Sequence, residues 1–204
     1  LFRIVLAGIV SYFIDTDAMV AYLLAVLFIR LTTEEISGAI ADAESGIVQD
    51  ALMEGGARGF FQVGQTMQLA ILVQLAIGAP VLVMWVFVME NVVDWLVSNA
   101  SIAKIAAQYT AVILIDYAVR GVSRSFMLPF HLTGQAHFER NVDVMATFVT
   151  LISIAVAATQ NDLTLVSIGW IQVTLGISKA VAKVSYVTLR GWLTPYKTGL
   201  LGML

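Results

Sequence analysis

The stretch MQLAILVQLAIGAPVLVMWVFVM, Met67–Met89, decides how the whole chain is read. It carries no charged residue and is longer than the ~20 mainly apolar residues an α-helix needs to cross ~30 Å of hydrocarbon. Backbone groups in lipid must be satisfied within the protein, so an uncharged run of this length predicts a spanning helix. Pro80 lacks the N–H that would bond one turn back, which predicts a kink near that point.

Three windows of similar character lie downstream: 105–128 with Asp116, Arg120 and Arg124; 144–159 without charge; and 163–189 with Lys179 and Lys183. Upstream, the apolar run 18–31 meets Thr32, Thr33, Glu34 and Glu35 and is expected to continue as a helix to about 48. Phe2–Ile14 is too short to cross alone, so 1–15 is expected to be the end of a helix whose start lies upstream. The fold expected is therefore an all-α membrane protein, a single transmembrane domain over 1–204 with about six helices: about 1–15, 18–48, 67–89, 105–128, 144–159 and 163–189. The connections at 54–66, 90–104, 129–143 and 160–162 are short enough to make consecutive helices antiparallel.

Composition agrees. Of 204 residues, 59% are hydrophobic and only 12% charged, against about 25% charged in a soluble domain. Mean hydropathy is +0.89. The net charge is −3 and the eleven Lys and Arg are scattered, which argues against a nucleic-acid partner. Absence of cysteine excludes disulfides, thiolate metal sites and cysteine nucleophiles. There is no HExxH, no GxSxG and no glycine-rich phosphate loop, so no enzymatic activity is expected. His131, His137 and Glu139 follow no metal-ligand spacing and are read as solvated loop residues; no cofactor is expected.

Lys and Arg distribution orients the chain. Arg58, Arg124, Arg140, Arg190 and Lys197 fall to one side, expected to be cytoplasmic, whereas Glu90, Asp94 and Asp162 face only Lys104 on the other. The expected location is the plasma membrane or an organelle membrane, with the lipid bilayer as the first partner.

Charges inside spans carry the functional reading, because each costs roughly 2.5–3.5 kcal/mol at a helix centre on insertion scales. Asp116 lies near the middle of its window with Arg120 four residues on, spacing that suits an intrahelical ion pair. Lys179 precedes Arg190 by eleven residues, roughly 16 Å at 1.5 Å per residue, which predicts a cavity-facing side chain. Lys183 is nearer the interface and is expected to snorkel. Asp15 reads, on composition, as an interface acid. Ser37, Ala41 and Ser45, with Gly38, Asp42 and Gly46 alongside, suggest a close-packing face of small residues.

Several segments resemble the N-terminal half of the multidrug and toxic compound extrusion (MATE) transporters. KIAAQYTAVIL, Lys104–Leu114, is similar to the start of that family's fourth helix, with Ala107 and Tyr109 in matching places. FMLPFHLTGQAHFERNVDVM, Phe126–Met145, resembles the loop that follows it, and Gly64 and Gln68 in VGQTMQLA resemble the opening of its third helix. The resemblance implies two six-helix lobes about a central cavity and export of organic cations or amphiphilic small molecules in exchange for H+ or Na+. This chain would supply the first lobe, its partner being a missing second lobe or a second copy. Asp15-Thr16 matches the pair that ends the family's first helix, which implies a cation-coupling role for Asp15 beside Asp116. Gln49 resembles a glutamine near the cytoplasmic end of the second helix, and with Arg120 and Lys179 it forms the expected substrate cavity. Ser153–Ala157, where some members carry an Asn and an Asp, has no acid, and six acids between Glu34 and Glu54 exceed the family pattern. Two further readings stand beside this one: a flippase for lipid-linked headgroups from the same superfamily, and a membrane subunit that transports nothing.

Overall fold

The computed structural model describes residues 2–54, 56–125, 130, 135–159 and 163–190. These form helices α1 Phe2–Phe13, α2 Thr16–Glu54, α3 Gly56–Val73, α4 Ala79–Val97, α5 Ala100–Ser125, α6 Ala136–Thr159 and α7 Leu165–Leu189, with a π turn, Gln74–Gly78, joining α3 to α4. Five spans are long and apolar enough to cross a membrane: α2, the continuous Phe61–Val97, α5, α6 and α7. The chain is an all-α, multi-pass membrane protein.

Helix α5 is the hub, packed against α2, α4 and α7, while α6 packs on α7 and α1 on α2. Cross-helix contacts fix directions. Trp85 Nε1 donates to Thr32 Oγ1 at 2.8 Å and Gln74 Nε2 to Ser37 Oγ at 3.0 Å, so α3–α4 runs antiparallel to α2. Tyr109 Oη donates to Gln172 Oε1 at 3.1 Å, and Gly176 lies against Asp116, so α5 and α7 run parallel. The apolar core fills in around Tyr22, Ile29, Met89, Tyr109, Ile113, Ile154 and Ile168. Tyr22 and Tyr109 meet edge to face at 5.7 Å.

The helices outrun the apolar windows. Of the residues 54–66, expected as a connection, Glu54 ends α2 and Gly56 to Thr66 belong to α3, which starts at Gly56, whose φ of +66° suits glycine. The helix expected over 67–89 runs unbroken from 56 to 97; the 90–104 connection shrinks to Ser98 and Asn99; and α6 begins at Ala136, inside the stretch expected to be loop. Intrahelical hydrogen bonds do not stop where lipid stops, and local caps mark the break between α4 and α5 instead. Ser98 takes the left-handed conformation with its N–H on Asp94 O, and Asn99 Oδ1 accepts the Ser101 N–H at 3.0 Å.

At 39 residues α2 is roughly 58 Å long, nearly twice the hydrocarbon thickness, so its C-terminal part and α3 form a hairpin projecting past the bilayer. Val48, Ala51, Val63 and Met67 hold that hairpin together. The small-residue line expected to pack does so only at Ser37; a Cβ added at Gly38 or Gly46 would meet nothing within 4 Å. The close approach is elsewhere, at Gly59, where a Cβ would overlap the Ala51 carbonyl oxygen.

The kink expected at Pro80 takes the form of the π turn one turn upstream, a common way for a helix to absorb a lost hydrogen bond. Its consequence is the placement of Gln74, buried with its amide in a slot between Gly78 and Gly121.

Gly59→Ala is expected to destabilise the hairpin by about 1–3 kcal/mol, the usual cost of overpacking, whereas Gly46→Ala, with open space at that position, should be neutral or stabilising. Thermal midpoints of the two purified variants in one detergent check the contrast; equal midpoints would contradict the packing described.

Candidate functional site

The site begins with one carboxylate. Asp116 has a side-chain exposure of 0% and lies on α5 about 5 Å from the helix midpoint, counted at 1.5 Å per residue. One turn on, Arg120 pairs with its Oδ2 from a half-exposed position. Oδ1 faces α7 at Gly176, where any Cβ would overlap it, and no hydrogen-bond donor among the described residues reaches it. A glycine in α7 thus opens the space for an acid in α5, and half of that acid's accepting capacity is left unused.

A second set of charges joins α6 to α7. Lys183 Nζ is 3.2 Å from Glu139 Oε1 and 2.9 Å from Asp143 Oδ1, and Lys179 Nζ is 3.4 Å from Asp143 Oδ1. Both acids and both lysines are four residues apart on antiparallel helices, so they interleave as a ladder. This corrects two expectations. Lys183 does not snorkel: it is 3% exposed, more buried than Lys179, because two carboxylates on α6 hold it inside. Glu139 is not a solvated loop residue but a buried one in the first turn of α6, where the helix dipole also favours an acid. His137 is exposed on the same turn and bonded to Arg140, and His131 lies outside the described residues.

Two cavities flank these charges. The inner one, of about 150 Å³, is bordered by Asp116, Arg120, Asp143, Thr147, Gln172 and Lys179, among others. The outer one, of about 200 Å³, lies towards the Arg124 end between α2, α5 and α7 and is bordered by Glu34, Ser37, Arg120, Arg124, Lys179 and Lys183, among others. Arg120 and Lys179 border both, so they are the shared wall. Each cavity has room for several water molecules next to polar groups, the condition for a hydrated pocket. Tyr186 stacks on Phe138 at 3.9 Å, and the Arg190 guanidinium lies over the Tyr186 ring, 5.3 Å from its centre. Among the described residues no cluster of His, Asp and Glu has the arrangement of a metal site.

No family model, curated protein or solved structure matches the chain.

The expected residues therefore have to be judged on their positions. Asp116, Arg120 and Lys179 come together at one place. Asp15 is exposed in the break between α1 and α2, at the opposite end of the bundle from Arg124, and its Oδ1 accepts the Ala18 N–H at 2.5 Å as the cap of α2. Gln49 is exposed on the projecting part of α2 and borders neither cavity. Sequence reading passed over Glu139, Asp143 and Gly176 as site residues. The i, i+4 pairs Glu139/Asp143 and Lys179/Lys183 were the available signal for the ladder; nothing local marks Gly176, whose role depends on α5.

Capping alone makes Asp15→Ala cost about 1 kcal/mol and Asp15→Asn nearly nothing, since Asn caps as well as Asp; a midpoint drop in Asp15→Asn equal to that in Asp15→Ala would show a role for the charge. In the ladder, Lys183→Met removes the buried cation that meets both Glu139 and Asp143 and is expected to destabilise by about 3–5 kcal/mol, while the double change with Glu139→Leu recovers part of the loss. Chemical or thermal denaturation of both variants in the same detergent checks this double-mutant relation.

Proposed function

We propose that the chain is one helical lobe of a secondary active transporter that exports amphiphilic small molecules in exchange for H+ or Na+, with Asp116 as the coupling acid. The observation that carries this reading is the fully buried Asp116 carboxylate, whose free Oδ1 has no donor among the described residues, bordering a cavity inside the bundle. Buried intramembrane charges persist where they serve an ion or substrate route or a structural pair, and Asp116 has a pair on one oxygen only.

Arg120 supplies the coupling. With Asp116 ionised, the guanidinium is held at the inner cavity; a proton or a sodium ion at the carboxylate neutralises it and releases Arg120 to the outer cavity it also borders. A bound ion shifts a conformational equilibrium only through different affinity for its states, and the exchange of Arg120 partners provides such a difference. The similarity of Lys104–Leu114 and Phe126–Met145 to MATE segments supports the same reading and supplies the expectation of a second lobe or second copy closing the central cavity. Asp15, as an exposed cap, is the weaker coupling candidate of the two acids.

In proteoliposomes carrying an imposed proton or sodium gradient, the wild-type chain is expected to drive efflux of a fluorescent amphiphile, and Asp116→Asn to reduce the gradient-driven component at least about tenfold, a loss equivalent to ~1.4 kcal/mol, with membrane insertion unchanged. Undiminished gradient-driven efflux from Asp116→Asn would remove Asp116 from the mechanism.

A further inference from the structure

From the outer cavity we infer a binding site for a phosphate-bearing ligand, held by Arg120, Arg124, Lys179 and Lys183. Four cations from two helices border one space of about 200 Å³, and the single carboxylate among its lining residues, Glu34, is already paired with Arg30 of its own helix. Thr33, Ser37 and Ser123 line the same space; the Thr33 and Ser123 hydroxyls donate to carbonyl oxygens of their own helices, while Ser37 Oγ accepts from Gln74 and keeps its hydrogen to donate. Ammonium and guanidinium groups with neighbouring hydroxyls are the donor set that recognises phosphate oxygens, and Arg does so with two parallel N–H groups.

The ion pairs behind the cavity leave these donors available. Lys183 meets carboxylates in two directions and has three N–H groups; Lys179 meets one carboxylate; Arg120, with five N–H groups, is engaged by Asp116. Arg124 is exposed one turn beyond Arg120, and among the described residues no ion pair involves it. The acids Asp116, Glu139 and Asp143 thus act as a second layer behind cations that border the cavity and have N–H groups beyond those their ion pairs use.

The position of the cavity suits this chemistry. Counted from the midpoints of their helices, Lys179 lies at roughly 3 Å, Lys183 at roughly 9 Å, Arg120 at roughly 11 Å and Arg124 at roughly 17 Å, all towards the same end, so the cavity runs from inside the bundle to a mouth at Arg124, at the depth of one leaflet's headgroups. That end also carries Arg58, Arg140 and Arg190, and basic pockets between spanning helices on the cationic side are suited to anionic headgroups. A lipid phosphate could enter sideways from its leaflet and a free phosphate from solution; the recognising groups are the same. The inference rests on the transporter reading only in making this ligand the cargo, since binding is measured without transport.

The test uses the full chain in phosphatidylcholine nanodiscs, with binding read as the rise in thermal midpoint on ligand addition. Phosphatidic acid doped into the discs, or sodium pyrophosphate added to undoped discs, is expected to raise the midpoint, while an equally charged fatty acid is not. Response to phosphatidic acid alone assigns a lipid headgroup as the source, and response to pyrophosphate assigns a soluble one. Arg124→Gln is expected to weaken apparent affinity about tenfold or more, the effect of losing a charge-assisted hydrogen bond, and Arg190→Gln, at the same end but outside the cavity, to leave it unchanged. The inference is overturned if neither phosphate compound shifts the midpoint, if the fatty acid does so equally, or if Arg190→Gln weakens binding as much as Arg124→Gln. Loss of gradient-driven efflux in Asp116→Asn without any phosphate response would sink this site and leave the transporter reading standing; a phosphate response without gradient-driven efflux would do the reverse.

Discussion

A carboxylate buried at mid-helix depth is the constraint from which the arrangement of this bundle follows. Asp116 is paired with Arg120 one turn on, and it can fit between α5 and α7 only because position 176 is glycine. The parallel contact of α5 with α7, fixed by Gly169 against Tyr109 and Gly176 against Asp116, brings Lys179 and Lys183 to the level of Arg120. Cations gathered so closely require acids, and α6 supplies Glu139 and Asp143. Each helix is thereby placed by the need to neutralise the one before it. Such pairs add little net stability over apolar packing, but breaking one is costly, so their value lies in register. A slip of α6 by one turn along α7 would bring one acid of the ladder to the place of the other, so that Lys183 keeps one carboxylate and loses the second.

The sequence shows where a helix meets lipid more readily than where the helix ends. Met67–Met89 identifies a span because hydropathy measures transfer into hydrocarbon, and that transfer drives burial of these residues. It does not mark the ends Gly56–Thr66 and Glu90–Val97, which are held helical by local bonds and by packing, the first through the Val48, Ala51, Val63 and Met67 cluster and the second through Val93 in the main core. Depth counting gave Lys179 a cavity to face but misjudged Lys183, because snorkelling assumes that the nearest solvation is water at the interface. Here Glu139 and Asp143 are closer. The small residues from Ser37 to Gly46 allow close approach without requiring it, and only a contact partner, which their spacing does not reveal, could turn permission into packing.

Asp15 and Asp116 show how one residue type acquires two roles from its surroundings. Asp15 stands before a helix start, where free N–H groups need an acceptor, and its contact with Ala18 answers that need while the side chain stays in reach of solvent. Asp116 stands where every backbone N–H is already used, so its charge must be met by other side chains. One of them, Arg120, is itself shared between two cavities. A group whose ionisation changes the position of a neighbour can transmit that change; a cap bonded to its own helix has nothing further to move.

The π turn ties the remaining helix pair to the same place. By turning Gln74 out of the regular α-helical spacing, it puts a side-chain amide between Gly78 and Gly121 and against Ser37. Gly121 and Ser37 both border the outer cavity, so the Gln74 amide is part of the wall behind it. Pro80 makes the regular α-helix unfavourable just beyond this point, and π turns interconvert with α-helix by a shift of hydrogen-bond partner rather than by breaking the helix. Straightening the turn would rotate Gln74 away from Gly121 and enlarge the cavity at its back, on the side opposite the Asp116–Arg120 pair. The cations of the outer cavity are therefore enclosed between two elements, the Asp116–Arg120 pair and the π turn. In the transporter proposed above, which needs two arrangements of the same packed helices, these two elements are the places where a change would leave no backbone group open to lipid.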